Sequence, residues 1–293
     1  MSARSRFRLF KFPVKNQLHR FTRSKFGSFL FFAILISGGL FSVLPLVYCI
    51  TTSFKPLDEL LIFPPTLFTV KRPTIANYTA IPDLLSGLSV PITRYAFNSI
   101  FVSIIGTFLS VIISAMAAFV LSKTEMKFNK LIFTVVQFSL LFNAYTLSVP
   151  QYIVYSKIGI INTYLAYIVP AAASSMGVFL MKQYMDGYVP YALIEAAHID
   201  GAGWIGIFTR IVLPIVKPCV LTLVMFSFLG IWNSVPSGTI FSESLKTLPT
   251  VMSTIAAGGL ARSGSSMATS VILMIFPIAV YLISQGSIKE TMG

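Results

Sequence analysis

The sequence predicts an all-α integral membrane protein with about six transmembrane helices, and its composition and apolar runs are the observations that predict it. The chain has 293 residues, of which 55% are hydrophobic and only 11% are charged. Soluble domains carry about 25% charged residues, so a water-soluble fold could not cover this much apolar surface. Runs long enough to cross a bilayer, which takes about 20 helical residues, lie at 27–50, 97–121, 131–154, 165–184, 211–232 and 267–285.

Basic residues gathered before the first apolar run predict the orientation of the chain. Eight of them, and no acidic residue, precede this run: Arg4, Arg6, Arg8, Lys11, Lys15, Arg20, Arg23 and Lys25. Lysine and arginine favour the cytoplasmic side of a membrane and its anionic headgroups. The loop at 122–130, with three lysines and one glutamate, agrees. We therefore expect an N-in, C-in protein whose net charge of +13 serves the membrane and not a nucleic acid.

The order of the runs divides the chain into four segments. The first, 1–26, is a basic cytoplasmic tail, and 27–93 holds the first transmembrane helix and a long, proline-rich extracytoplasmic loop. The run at 27–50 is too long for the apolar part of a signal peptide and lacks a cleavage pattern, so we expect a retained helix. A core of five further transmembrane helices occupies 94–285, and 286–293 forms a short C-terminal tail.

The chain carries none of the common catalytic motifs. It has no P-loop, no G-x-S-x-G and no H-E-x-x-H sequence, and Cys49 and Cys219 show no metal-ligand spacing. No aspartate, glutamate or histidine falls in the middle of a predicted span, where a proton-coupled carrier needs a group that changes charge. We expect no enzymatic activity, no bound metal and no proton coupling. Sodium coupling through carbonyl and hydroxyl groups stays open.

The loop before the fifth run predicts two short helices that project from the membrane. Pro190 suits the first turn of a helix over 191–199, and Gly201 suits the end of that helix. Asp200 could cap a second helix over about 202–210. We expect a knob on the cytoplasmic side of the protein.

The side chains of the first of these helices suit contact with a partner. Glu195 and His198 lie three residues apart and would share one helical face. Ala196 and Ala197 are small, so a partner backbone could approach them closely. A solvated amphipathic loop lying on the membrane surface is the alternative.

The same segment resembles the EAA loop in the permeases of binding-protein-dependent ABC importers. It has Glu-Ala-Ala at 195–197, Asp-Gly-Ala at 200–202 and Ile-x-Leu-Pro at 211–214, at the family's spacing and before the fifth run. His198 stands where the family often has arginine. The stretches SFKPLDELLIFPPTLF, RYAFNSI, KIGIINTYLAYIVP and GVFLMKQYM are similar to the carbohydrate-uptake branch, which includes maltose permeases, and the likeness extends over the chain after residue 27.

This resemblance implies the type-1 permease fold of ABC importers and a function in sugar uptake across a bacterial cell membrane. It implies four kinds of partner: a second homologous permease subunit, two ABC ATPase subunits, an extracytoplasmic solute-binding protein and the sugar itself. ATP and Mg²⁺ would bind to the ATPase subunits, and this chain would bind no cofactor. The residues that the resemblance assigns to ATPase coupling are Glu195, Ala196, Ala197, His198, Asp200, Gly201, Leu213 and Pro214.

Polar and aromatic side chains in and beside the third and fifth runs are candidates for the sugar pathway. They are Gln137, Asn143, Tyr145, Trp232 and Asn233, which could meet hydroxyl groups and ring faces of a sugar. Such residues more often serve helix packing or lie at the membrane interface. Two alternatives stay open: an ABC permease for a polyol, an amino acid or a phosphate ester, and a secondary carrier without ATPase partners.

Overall fold

The computed structural model describes residues 25–63, 66–86, 90–142, 144–236, 238–259 and 262–292, which contain helices, turns and loops but no β-strand. They form two compact units, divided between Val47 and Tyr48. The first unit holds most of helix α1, and all other helices belong to the second. The helices are α1 (Lys25–Ser53), α2 (Leu57–Leu60), α3 (Ala76–Leu85), α4 (Ile92–Lys123), α5 (Asn129–Ser139), α6 (Ala144–Lys157), α7 (Leu165–Ala172), α8 (Ser175–Tyr188), α9 (Tyr191–Ile199), α10 (Trp204–Ile207), α11 (Leu213–Ile215), α12 (Lys217–Trp232), α13 (Leu248–Ala256) and α14 (Ser263–Met292).

Most of the predicted spans are present as long apolar helices, which confirms the all-α membrane class. Within the described residues, four stretches are long and apolar enough to cross a bilayer, namely Gly27–Ser53, Ile92–Lys123, Leu165–Tyr188 and Ser263–Gln285. They match the first, second, fourth and sixth predicted runs. The fifth run is a bent pair, in which Trp204–Ile215 meets Lys217–Trp232 at an angle of 82°.

The third predicted run forms two helices in place of one. Helix α5 ends at Ser139 and α6 begins at Ala144. Between them, the N–H groups of Leu140, Leu141 and Phe142 bond to carbonyls three residues back, at 3.2, 3.0 and 3.4 Å. Such bonds tighten the backbone into a 3₁₀-type turn and end the α-helix. The Ser139 hydroxyl donates to the first side chain of α8 at 2.7 Å, which holds the end of α5 in place.

Helix α4 is the central helix of the second unit and packs against α7, α8 and α12. Its contact faces carry small buried residues, among them Gly106, Ser110, Ser114 and Ala118. A Cβ on Gly177 of α8 would lie only 2.4 Å from the Ser114 hydroxyl oxygen. Small residues let membrane helices approach closely enough for dispersion contacts and hydrogen bonds to hold them together.

At the end of α4 away from α9, buried polar groups tie down the loop between α12 and α13. The Asn98 amide group donates to the carbonyls of Ser244 and Lys246 at 2.8 and 2.9 Å. Its oxygen accepts a bond from the Tyr164 hydroxyl at 2.7 Å. The Ser99 hydroxyl accepts one from the first N–H of α13 at 2.7 Å. Because Asn98 and Ser99 are buried, these bonds fix the loop against the membrane helices.

Candidate functional site

Helix α9 is bounded by the proline and the glycine that the sequence assigns to its ends. Pro190 occupies the N-cap position, with φ −64° and ψ 140°, one residue before the helix. Gly201 has φ +81°. Its N–H bonds to the His198 carbonyl at 3.0 Å, and the Ala202 N–H bonds to the Ala197 carbonyl at 2.9 Å. These two bonds form a Schellman motif, whose left-handed residue is usually glycine.

The second half of the knob differs from the predicted helix over 202–210. Helix α10 begins only at Trp204, with Gly203 at its N-cap. Asp200 caps no second helix, because it forms the C-terminal cap of α9 and the Gly201 turn separates it from α10. From Phe208 to Val212 the backbone widens into a π-helix. Such widened turns often lie at functional sites.

Only one face of α9 is available to a partner. Glu195, Ala196 and His198 are exposed. Ala197 is only 6% exposed and packs with Ile194 into the apolar core of the chain. The Ala197 methyl group therefore faces inward in this chain, and its contact with an ATPase stays a prediction. In the same way Leu213 packs against this core, whereas Pro214 is exposed.

An aromatic cluster fixes the knob to the end of α4. The His198 ring meets Trp204 edge-on, with 4.3 Å between ring centroids. Trp204 in turn meets Phe119 of α4 at 6.0 Å, and Phe119 lies 5.3 Å from Phe208. Edge-to-face contacts of this kind add about 0.5–1.5 kcal/mol each beyond area burial. His198 thus joins the two halves of the knob.

A buried lysine fixes the entry to α9. The Lys123 ammonium group, at the end of α4, donates to the Val189 carbonyl at 2.7 Å. It also lies 5.5 Å from the centre of the Tyr191 ring. Lys123 therefore satisfies a carbonyl at the end of α8 and sets the direction in which the chain enters the knob.

The tip of the knob exposes large apolar side chains. Ile199 and Ile205 are 86% and 81% exposed, and Tyr191 and Trp204 are also exposed. Four such residues on one projecting segment form a patch that typically marks a protein contact. We call the exposed residues Tyr191, Glu195, Ala196, His198, Ile199, Trp204 and Ile205 the knob surface.

A cleft of about 710 Å³ lies among α4, α6, α7, α8 and α12. Its size falls in the range of small-molecule sites, about 300–1,000 Å³. The lining is uncharged and carries hydroxyl and amide groups between small and apolar residues. It comprises Ser110, Ser148, Gln151, Tyr155, Ala166, Tyr167, Pro170, Ala171, Ser174, Met176, Gly177, Leu223, Phe226, Ser227, Gly230, Ile231, Ser234, Val235, Pro236 and Thr239.

Two pairs of polar groups in this cleft bond to each other, one across helices and one within α6. The hydroxyls of Ser110 on α4 and Ser227 on α12 are 3.1 Å apart. The Gln151 amide group donates to the Tyr155 hydroxyl one turn later. Hydroxyl and amide groups can donate to or accept from the hydroxyls of a neutral solute. This arrangement suits a polar, uncharged molecule.

Comparison with known proteins identifies the family, although no family model matches the chain. The protein LplC of Bacillus subtilis is 34% identical over 207 residues, which cover 68% of this chain and 65% of LplC. The arabinooligosaccharides transport system permease protein AraQ of Halalkalibacterium halodurans is 31% identical over 222 residues, covering 73% of this chain and 76% of AraQ. The chain belongs to the sugar ABC transporter permeases. It is a multi-pass protein of the bacterial cell membrane.

Solved structures show that the permease has the fold of ABC importer permeases. A bacterial ABC transporter involved in the import of the acidic polysaccharide alginate superposes with a TM-score of 0.71 at 19% identity, over 90% of this permease and 98% of that chain. The alginate transporter in complex with an alginate pentasaccharide-bound periplasmic protein superposes with a TM-score of 0.58 at 14% identity, over 87% of this permease and 92% of that chain. These matches confirm the predicted fold class.

Three of the sugar-pathway candidates predicted for the permease, Gln137, Trp232 and Asn233, are not among the described residues that line the cleft. Gln137 lies exposed on α5, and Asn233 is exposed at the end of α12, where its amide bonds to the Leu229 carbonyl at 3.0 Å. Trp232 is 2% exposed and packs between other aromatic rings, and its role in the sugar pathway stays a prediction. Asn143 and the side chain of Tyr145 lie outside the described residues.

The residues that do line the cleft were absent from the predicted pathway. Ser110 and Ser227 are small hydroxyl residues inside long apolar runs, a type that usually indicates helix packing. One signal for them was available: Ser103, Ser110 and Ser114 repeat at helical spacing along α4. Within the described part of the permease, no cluster of three metal-ligating side chains occurs.

Proposed function

We propose that this permease couples sugar import to a separate ATPase through the knob surface. The observation that carries the proposal is the continuous path from the knob to the cleft. The knob leads through α11 and the 82° bend into α12, and α12 supplies Leu223, Ser227 and Ile231 to the cleft wall. A movement of the knob therefore reaches the cleft through one helix.

The roles of individual knob residues follow from their exposure. Glu195 is an exposed carboxylate that can accept bonds from backbone or basic groups of the ATPase. Ala196 allows close approach of the ATPase backbone. Ile199 and Ile205 bury their apolar surface in the contact, and His198 contributes through its packing on Trp204. Asp200 and Gly201 maintain the turn between the two halves of the knob.

The remaining partners of the proposed importer are those that the resemblance implies. A second, homologous permease would complete the membrane pore, and two ABC ATPases would bind the two knobs and carry ATP and Mg²⁺. The permease itself would bind no cofactor and catalyse no reaction. An extracytoplasmic binding protein would deliver the solute at the opposite end of the bundle. The alginate transporter in complex with its periplasmic protein supports this arrangement.

The solute would pass the cleft as a sugar or an oligosaccharide. Hydroxyl and amide groups such as those of Ser110, Gln151 and Ser227 can exchange hydrogen bonds with sugar hydroxyls. Apolar residues beside them can meet the faces of sugar rings. The relative AraQ, a permease of an arabinooligosaccharides transport system, supports a carbohydrate as the solute.

Two variants separate the coupling role from the pathway role in the reconstituted transporter. Glu195→Lys reverses the charge on the knob surface and should abolish co-purification of the ATPase and sugar uptake. Ser227→Phe fills the cleft and should abolish uptake while the ATPase still binds. Glu125→Lys, an exposed acid outside the knob, is the matched control and should change neither.

The same measurements can overturn the proposal. If Glu195→Lys retains normal ATPase binding and uptake at normal expression, the knob is not the coupling element. If no ATPase or second permease co-purifies with the wild-type chain, it acts without an ATP-driven motor. If the transporter takes up an amino acid or a polyol and no carbohydrate, the proposed solute class is wrong.

A further inference from the structure

The loop after α1 buries charged side chains and exposes apolar ones. Two of its charged side chains are buried, Lys55 at 2% exposed and Glu59 at 4% exposed. Large apolar side chains of the same loop point outward: Phe63 is 92% exposed and Leu61 is 62% exposed. We call the exposed apolar residues Leu57, Leu61, Ile62, Phe63, Leu67 and Phe68 the apolar rim. In water this distribution of charged and apolar side chains is the reverse of the usual one.

The buried charges hold the rim in a defined conformation. The Lys55 ammonium group donates to the carbonyl of Thr66 and to its hydroxyl, the latter at 3.1 Å. The Glu59 carboxylate accepts the backbone N–H groups of Lys71 and Arg72 at 3.0 and 3.3 Å. Because each buried charge has polar partners, its burial is stabilised. The loop is therefore a folded structure that presents its apolar side chains outward by construction.

Further contacts place the rim at the end of a membrane span. The Thr51 hydroxyl, in the last turn of α1, donates to the Leu67 carbonyl at 3.0 Å, and the Thr74 N–H donates to the Phe54 carbonyl at 2.8 Å. Thr51 lies two residues before the end of the apolar stretch Gly27–Ser53, which is long enough to cross a bilayer. The ends of such stretches lie at the membrane interface. We therefore expect Leu67, which bonds to Thr51, to lie at this interface.

Charged residues mark the side of the loop that faces water. Asp58 and Arg72 form an ion pair and are both exposed, and Lys71 is exposed beside them. Apolar side chains at this depth, with a charged face turned to water, are typical of segments that lie in the membrane interface.

We propose that the apolar rim is a lipid anchor, which inserts into the boundary between headgroups and acyl chains on the side of the membrane opposite the knob. Lipid is favoured over a protein partner because the rim is continuous with the end of a transmembrane helix. The anchor fixes the depth of the loop in the membrane. The anchor is also linked to α14 through Asn77 of α3. The Asn77 amide group donates to the carbonyls of Ser53 and Lys55 at 2.9 and 2.8 Å, and its side chain lies directly against Gly264 of α14.

Fluorescence quenching in nanodiscs tests this proposal. Single cysteines replace Phe63, Leu67 or Lys71 in a background in which Cys49 and Cys219 are alanine, and each is labelled with an environment-sensitive dye in the assembled transporter. Nitroxide lipids labelled near the headgroup should quench dyes at the two rim positions several times more strongly than at Lys71→Cys, the control. Iodide in the buffer should show the opposite order.

Each other outcome would overturn the proposal. Equal iodide quenching at Phe63→Cys and Lys71→Cys would show that the rim faces water. Protection of the Phe63 position only after addition of the solute-binding protein would assign the surface to that protein. Protection without lipid quenching would assign it to the second permease. If Phe63→Cys fails to assemble, Ile62→Cys reports the same surface.

Discussion

Replacing Gly201 by asparagine, alanine and valine tests whether the shape of the knob matters for coupling. Gly201 has φ +81° and nothing lies within 4 Å of the position where a Cβ would be. A substitution there meets no neighbouring atom of the permease, so its cost comes from the backbone alone. Gly206→Ala is the matched control, because Gly206 has the same open surroundings in the same knob but no left-handed φ.

The magnitude follows from the left-handed backbone. An L-residue pays about 1–2 kcal/mol to adopt it, and a β-branched residue pays more. Asparagine pays less, because it visits this region more readily. In a substituted permease the backbone at residue 201 would relax away from the left-handed conformation. Binding of the ATPase would then have to restore that conformation, at the expense of the binding free energy. A cost of 1–2 kcal/mol then weakens the affinity for the ATPase about 5–30-fold.

The assay is titration of the purified ATPase onto the permease in detergent, together with sugar-stimulated ATP hydrolysis in proteoliposomes. The expected order of affinity is wild type, then Gly201→Asn, then Gly201→Ala, then Gly201→Val, with Gly206→Ala equal to wild type. Membrane insertion should be the same for all. Equal affinity across the three Gly201 variants, or a loss in Gly206→Ala as large as that in Gly201→Ala, would refute the reasoning.

Three further substitutions test the packing that supports the knob and the opposite end of the bundle. Gly264→Ala should lower the melting temperature in detergent, because its Cβ would lie 2.4 Å from the Asn77 amide oxygen. Asn98→Ala should lower the free energy of unfolding by about 1–3 kcal/mol, since it removes a buried amide that bonds to two carbonyls, and a denaturant titration measures this. Lys123→Met should cost about 1–3 kcal/mol by the same titration and should weaken ATPase binding, because the Val189 carbonyl loses its donor.

Matched controls distinguish these effects from general damage. Gly187→Ala meets open space on α8 and should not change the melting temperature. Asn233→Ala removes a bond within its own helix from an exposed side chain and should lower the free energy of unfolding far less than Asn98→Ala. Lys127→Met changes an exposed lysine and should leave ATPase binding intact. Equal effects in variant and control would contradict the packing described for that position.

The parts of the structure that follow from local chemistry could be predicted from the sequence. The long apolar runs predicted the spans, since a bilayer needs an uninterrupted apolar helix. Pro190 and Gly201 predicted the ends of α9, because one fixes φ and the other permits a left-handed backbone. The predicted limits of the second knob helix were wrong. Asp200 is the C-terminal cap of α9, and Ala202 and Gly203 lie between the Gly201 turn and the first residue of α10.

Features that depend on packing between distant segments could not be predicted. The sequence makes Trp232 a candidate for contact with a sugar ring, whereas in the structure it packs against Phe228 and Phe276, and Phe276 comes from another helix. The cleft is lined by small, apolar and aromatic residues from five helices, and no single segment reveals it. Ala197 faces inward because α9 packs on the core of its own chain, which its place in a motif does not show.

The break between α5 and α6 gives the two helices different neighbours. Helix α5 rests on α8, whose far end leads into the knob, whereas α6 presents Ser148, Gln151 and Tyr155 to the cleft. If the cleft carries the solute as we propose, substitutions along α6 are expected to alter which solutes are accepted while α5 keeps its contacts with α8.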